Sequence, residues 1–316
     1  MFKEYHLSSF VFNSELFGKR LDYVLVYLFK NYSRSFFKKV ILKNQVYVNN
    51  IIVNVPKKKI FNGDKIYVKI VQSNLNELIP QNINLDIIYE DKDIIVINKP
   101  CNLVVHPGAG NLNGTVLNAL LYRDYKMINI PRVGIVHRLD KNTSGLMVIA
   151  KNIISYNILI NYFKLHKVKR YYKSIVYGNV SSNIKINYPI ARHKIYRTKM
   201  SVNNKGKESI TNCKVISYFK NFSFLFISLG TGRTHQIRVH LSHINHPIVG
   251  DKLYINNHHK MIYKKNFFNK KINEFHRQAL HAFMLELYHP ITKKKMKWRI
   301  SLPYDMISLI KLIKHV

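Results

Sequence analysis

Apolar residues recur at helical spacing in two short stretches near the start of the chain and give way later to β-type runs. Leu21, Val24, Leu25 and Leu28 form one such stripe. A second helix is predicted with Ser33 as its N-cap, burying Phe36, Phe37, Val40 and Ile41 and leaving Lys38, Lys39 and Lys43 on or near its exposed side. Residues 46–48 and 51–53 then flank Asn49-Asn50, a two-residue hairpin signal, and 65–70 closes the pattern as a strand after the turn Asn62-Gly63-Asp64. Residues 71–84 are polar, rich in Asn and Gln, broken by Pro80 and aperiodic, so they predict a linker. Beyond them, β-type runs at 86–89, 93–98, 145–151, 172–177 and 222–229 are interspersed with helical patterns at 115–122 and 154–164. No regular βαβ rhythm links them, which predicts an α+β fold on a mixed, mainly antiparallel sheet with flanking helices. Residues 256–274 are dense in His, Lys and Asn and read as a basic insertion loop.

Length and charge sharpen this picture. The 316 residues are enough for about two domains of ordinary size. The boundaries expected are a small basic unit at 18–70, a linker at 71–84 and a larger domain at 85–310. There are 51 Lys and Arg against 16 Asp and Glu, a formal net charge of +35. Such an excess points to a polyanionic partner, nucleic acid above all. A/T-biased codons also enrich Lys, Asn, Ile and Tyr without selection for function, so charge alone does not assign one. The 18–70 unit concentrates the effect, with 12 Lys and Arg against Asp22 and Asp64. Cys101 and Cys213 are too few and too far apart for a disulfide framework or a thiolate zinc module, and they fit a reducing cytoplasm. No apolar run reaches membrane-spanning length, so no membrane partner is expected.

Four stretches could carry chemistry. Residues 98–110, ending in His106-Pro107-Gly108-Ala109-Gly110, allow tight turns and close backbone approach, yet lack the Gly-Lys-Ser/Thr of a P-loop. In His137-Arg138-Leu139-Asp140-Lys141-Asn142-Thr143-Ser144-Gly145, a carboxylate sits among cations between apolar runs, a setting that can hold it ionised and reactive, although an Asp beside Arg is more often a structural ion pair. Lys169-Arg170-Tyr171-Tyr172-Lys173 interleaves aromatics with cations, suited to base stacking beside phosphate contact or to strand packing. In the fourth, Gly232 could turn the chain into a helix carrying Thr234 and Arg238 on one side. One of Arg233 and Arg238 could then reach a carboxylate while the other holds phosphate. His-Glu-x-x-His is absent, so no metal site is expected. The kinase reading of His-Arg-Leu-Asp fails on its inserted Leu and on the missing Asp-Phe-Gly.

Two short helices followed by a basic hairpin resemble the S4 RNA-binding domain, which implies phosphate contacts through Arg34, Lys38, Lys39, Lys43, Lys57 and Lys58. The later motifs resemble the RluA-type family of pseudouridine synthases. His137-Arg-Leu-Asp140 followed by Thr143-Ser-Gly-Leu146 is its signature, and Arg233-Thr-His-Gln-Ile-Arg-Val-His240 and Arg277-Gln-Ala-Leu-His-Ala282 match its later motifs. Asn102 stands where the family usually has a small residue, and Asn tolerates a positive φ. The resemblance implies an RNA isomerase of the pseudouridine synthase fold that converts uridine to pseudouridine in large-subunit ribosomal RNA or the pre-ribosomal large subunit. It would work as a cytoplasmic monomer without a cofactor. Asp140 would be the catalytic carboxylate, Tyr172 the base-stacking residue and Arg238 the partner of Asp140, with Arg233 the less favoured partner. Arg138 would fill the place of the displaced uridine. Leu280 would line the base pocket, and His137, Leu139, Thr143 and Arg233 would contribute to substrate binding.

Overall fold

The N-terminal helices form where the apolar stripes put them. In the computed structural model, which describes residues 3–29, 32, 34–72, 78–108, 110–181, 183–255, 272 and 274–314, α1 spans Leu21–Leu28 and α2 Arg34–Leu42. Leu21, Val24, Leu25, Phe37, Val40 and Ile41 are buried in one cluster, with Leu28 and Phe36 partly buried against it. The expected cap, Ser33, lies outside the described residues, as does most of the 256–274 loop. Strands β3 (Val46–Val48) and β4 (Ile51–Ile52) pair across Asn49 and Asn50. Both asparagines have positive φ, 52° and 64°, as the twist of a two-residue hairpin demands.

Two compact units result, Met1–Leu78 and Ile79–Val316. The first is larger than 18–70. Strand β1 (Lys3–Phe10) pairs antiparallel with β6 (Lys65–Gln72), giving a sheet ordered β1-β6-β3-β4. The mostly polar sequence of β1 carries no apolar alternation, so periodicity does not reveal it. Because β6 runs to Gln72, residues 71 and 72 belong to a strand and not to the linker. Short strands β2 (Lys19–Arg20) and β5 (Lys59–Ile60) pair separately.

The second unit is built on a nine-stranded sheet. Its strands are β7 (Asp86–Glu90), β8 (Ile94–Lys99), β9 (Ser144–Ala150), β10 (Lys169–Tyr177), β11 (Ile184–Asn187), β14 (Ile210–Phe219), β15 (Phe222–Leu229), β16 (Leu280–Tyr288) and β17 (Lys295–Arg299). They are ordered β11-β14-β15-β10-β16-β9-β8-β7, with β17 beside β16. Among the described residues only β9 and β16 pair in parallel within this sheet, so it is mixed and mainly antiparallel. A small ribbon, β12 (Ile190–Arg192) with β13 (Met200–Val202), stands apart. Helices α3 (Val116–Arg123), α4 (Ile153–Lys164), α5 (Gln236–His243) and α6 (Tyr304–Lys314) complete the unit. None of the described helices is long and apolar enough to cross a membrane.

Strands β8 and β9 are almost wholly buried, which is why they read as continuous apolar runs. Gly145 sets the approach of β9 to β16. Its φ is +119°, and a Cβ there would collide with the Ala282 backbone. This crossing brings the turn before β9, the start of β16 and the side chains of β10 to one end of the sheet.

Candidate active site

Asp140 ends the loop that leads into β9, and its carbonyl accepts the Thr143 N–H at 3.0 Å. Its half-buried carboxylate accepts a hydrogen bond at Oδ2 from Arg238 Nη1, 3.0 Å away. Arg238 is buried and held from the other side, donating from Nε and Nη2 to Asp251 at 2.7 and 2.9 Å. Burial pushes its proton affinity down, but the hydrogen bonds and charge of Asp251, reinforced by Asp140, raise it above the ordinary arginine value. The Arg238 guanidinium also lies over the Tyr254 ring, 5.0 Å from the centroid. A fork fixed by Asp251 thus offers its remaining edge to Asp140. Across the site, His235 Nε2 lies 3.8 Å from Asp140 Oδ1.

Helix α5 does not begin near Gly232. The Gln236 side-chain carbonyl accepts from the Thr231 hydroxyl and the Arg233 N–H, making a separate turn, and His235 enters α5 with a φ of 56°. Thr234 therefore precedes the helix and does not share a helical face with Arg238. Arg233 sends Nε to the Glu208 carbonyl, leaving Arg238 as the arginine that pairs with Asp140.

Two connected hollows meet at Asp140. A pocket of about 60 Å³ is bounded by Asp140, Tyr172, Leu139, Thr143, Arg238 and Leu280. It shares Arg138, Asp140 and Tyr172 with an open cavity of about 760 Å³. That size suits a nucleotide with its neighbours, since ligand sites typically span roughly 300–1,000 Å³. The large cavity is lined by Arg132, Arg138, Lys164, Arg170 and Arg233, and Asp140 is its one carboxylate among the described residues.

The other expected residues fall into distinct settings. Tyr172 is buried on β10, opposite a bulge where Ala282 and Phe283 of β16 face it together. Burial pushes its phenol pKa up. Arg138 is exposed and has no polar partner among the described residues. Leu139 and Leu280 are buried, and Thr143 Oγ1 accepts from Gln278 Nε2 at 3.1 Å. His137 is turned partly inward: its Nε2 accepts the Val148 N–H at 3.0 Å and its ring stacks on Phe163 at 4.7 Å. In the N-terminal unit, Lys38, Lys39, Lys43, Lys57 and Lys58 are exposed without ion-pair partners among the described residues. Arg34 instead donates two hydrogen bonds to buried Asp22, which Arg20 also grips. Burial pushes the Asp22 carboxyl up, but these arginines outweigh it and hold it below the usual range.

His137 yields a stability prediction. Burial drives its pKa to about 3, and the Val148 contact requires an unprotonated Nε2. The unfolded chain therefore takes up a proton between about pH 6.5 and 3 that the folded chain refuses, so stability falls as pH drops through that window. His137→Gln should flatten the acid limb of a denaturant-midpoint titration by up to about 1.4 kcal/mol per pH unit. An unchanged slope would disprove the neutral assignment.

Sequence reasoning assigns no role to the residues that support the turn at Asp140, although Lys99, His235 and Arg277 lie inside stretches that stand out in it. Asp251 and Tyr254 carry no motif of their own, although Asp251 is one of only 16 acidic residues and follows a short apolar run. Lys99, fully buried, donates from Nζ to the carbonyls of Pro100, Leu103 and Lys141. Arg277 donates to the Asn142 carbonyl at 3.3 Å and to both oxygens of Asp305 on α6. Asn102, between these tethers, has a φ of 63°, as its residue type allows. Away from the site, Asp91, Asp93 and His289 gather three ligand-type side chains. Their atoms already hold a turn, with Asp91 accepting from Tyr89, Asp93 and Ile94 and His289 Nδ1 accepting from Ile291 and Thr292.

Comparison with known proteins gives this geometry a family. The model for RNA pseudouridylate synthase matches residues 93–243, and that for the S4 domain matches 19–66. A protein of Buchnera aphidicola subsp. Acyrthosiphon pisum, named ribosomal large subunit pseudouridine synthase D, is 51% identical over 98% of this chain and 99% of its own length. The chain belongs to the RNA pseudouridylate synthase family. A relative of the same name from Yersinia pestis is 45% identical over 99% of this chain and 96% of its own. Among solved structures, human RNA pseudouridylate synthase domain containing 4 superposes with a TM-score of 0.57 at 23% identity, covering 72% of this chain and 93% of its own. Human RNA pseudouridylate synthase domain containing 1 gives 0.53 at 24%, covering 75% and 97%. The likeness to both human proteins is one of fold. In this family the reaction is the isomerisation of uridine to pseudouridine, and Asp140 lies within the matched synthase region.

Proposed function

We propose that this protein isomerises specific uridines of large-subunit ribosomal RNA, free or within the pre-ribosomal subunit, with Asp140 as catalytic carboxylate and without a cofactor. The observation that carries the reading is a single carboxylate, hydrogen-bonded by a buried arginine, in a cation-lined cavity of nucleotide dimensions. The names of the near-full-length relatives supply the RNA class. The target uridine leaves its stack, Arg138 takes its place, and the uracil stacks on Tyr172 against Leu280. Asp140 acts on the sugar, either by attacking C1′ or by removing a sugar proton as the base departs. The N1–C1′ bond breaks, the uracil turns and a C5–C1′ bond forms. The proton of C5 is lost and N1 gains one, so the product is an isomer of the substrate and nothing else is consumed. Arg238 steadies the Asp140 carboxylate throughout. The test is tritium release from C5-labelled large-subunit rRNA, followed by chemical mapping of the pseudouridines. A protein that folds but releases no tritium from any rRNA preparation would refute the reading.

The N-terminal unit is assigned the grip on the RNA backbone. Affinity should fall steeply with salt, because each neutralised phosphate frees counterions. Replacing Lys38, Lys39 and Lys43 together by Gln should lower the slope of log K against log salt by about 2–3. Turnover at saturating RNA should be unchanged. A slope equal to that of the unaltered protein would remove these lysines from the interface.

A further inference from the structure

The large cavity contains a cation that the reaction just described does not use. Arg170 lies two residues before Tyr172 on β10, so the pleat points both side chains to the same face. Both line the cavity. The Arg170 guanidinium sits over Phe163, 5.5 Å from the ring centroid, in a stack that continues to His137. Of its five N–H donors, the one engaged among the described residues is on Nη2, in a long 3.3 Å contact to the Thr231 carbonyl. Nε is buried without a partner. Nη1 lies against Gly232, where a Cβ would collide with it.

Among the described residues, no carboxylate neutralises this group. Arg170 is half-buried, with its Nε shut off from solvent; the buried arginines Arg238 and Arg277 are each gripped by an Asp, whereas Asp140, the cavity's one carboxylate among the described residues, is already bonded to Arg238. Burial accordingly pushes the Arg170 pKa down, with Tyr172 pulling weakly the other way. A desolvated guanidinium with unspent donors, facing a cavity otherwise lined by Arg132, Arg138, Lys164 and Arg233, is built to receive an anion from that cavity. Gly232 leaves the room for it to do so.

We propose that Arg170 is a phosphate-binding residue that receives a backbone phosphodiester of the RNA next to the nucleotide held at Asp140. This rests on the RNA-isomerase reading above and adds to it. Tyr172 takes the base while Arg170, one pleat repeat away, fixes the adjoining backbone. The extruded nucleotide is thereby held at two points, which sets the angle at which its sugar meets Asp140.

The test uses the full-length protein and the shortest large-subunit rRNA hairpin it converts, synthesised with one uncharged methylphosphonate at a time in the linkages flanking the target uridine. One linkage should cost the unaltered protein about tenfold in affinity, and the same linkage should cost Arg170→Met nothing further. On the all-phosphate hairpin, Arg170→Met should bind about tenfold more weakly, with a salt slope shallower by about 0.7. Arg170→Lys should recover the slope but not the full affinity, because it keeps the charge without the fork. Gly232→Ala displaces the guanidinium without removing it, should show the same pattern more mildly, and serves if Arg170→Met does not fold. A methylphosphonate penalty that persists in the folded variant overturns the assignment. Tritium release separates the two readings. An unaltered protein that converts no RNA refutes the function, whereas conversion with every linkage indifferent to Arg170 refutes the phosphate site alone.

Discussion

Asp140→Asn should reduce tritium release from C5-labelled rRNA by a factor on the order of 10⁴ or more, the scale expected when a group acting directly on the reacting atoms is lost. RNA affinity should change by less than about tenfold, because the cations that bind the backbone are untouched. The substitution is nearly isosteric, and Asn can still accept from Arg238 Nη1 through its carbonyl. It lacks the negative charge and basicity that either route at the sugar requires. Loss of turnover with retained binding therefore separates the chemistry of Asp140 from its packing. Turnover within about tenfold of the unaltered protein would transfer the reaction to another group, and among the described residues the cavity offers no second carboxylate.

Asp251→Asn should be nearly as damaging by a different route. Asp251 and Arg238 are both buried, and their two hydrogen bonds fix the guanidinium edge that reaches Asp140. Removing one charge leaves the other buried and undercompensated, at a cost of about 3–5 kcal/mol. For a domain of this size that corresponds to a drop in Tm of about 6–20 °C. In the folded fraction, kcat should fall at least about tenfold while KM changes little, because Asp251 grips Arg238 and lines neither hollow. Calorimetry and single-turnover kinetics read the two effects separately. A stable variant with full kcat would show that Arg238 needs no anchor.

Much of this arrangement is legible in the sequence, and what is hidden has physical reasons. The stripes of α1 and α2, the Asn49-Asn50 hairpin and the buried runs of β8 and β9 are local patterns, and local patterns survive folding. Strand β1 is mostly polar, so its place in the sheet is fixed by pairing with β6 rather than by its own periodicity. Asp140, Tyr172 and Arg238 stand out through motif resemblance. The roles of their helpers do not, even for Arg277 at the head of a matching motif, because the bonds between Arg238 and Asp251, Lys99 and Lys141, and Arg277 and Asn142 join residues separated in the chain. The start of α5 departs from the expected position near Gly232 for a related reason. Gln236 spends its side chain on the preceding turn, which spacing alone does not reveal.

The tether from Arg277 to both Asn142 and Asp305 couples the turn after Asp140 to helix α6. Fraying of that helix would therefore slacken the turn beside Asp140 even while the strands between them stay paired.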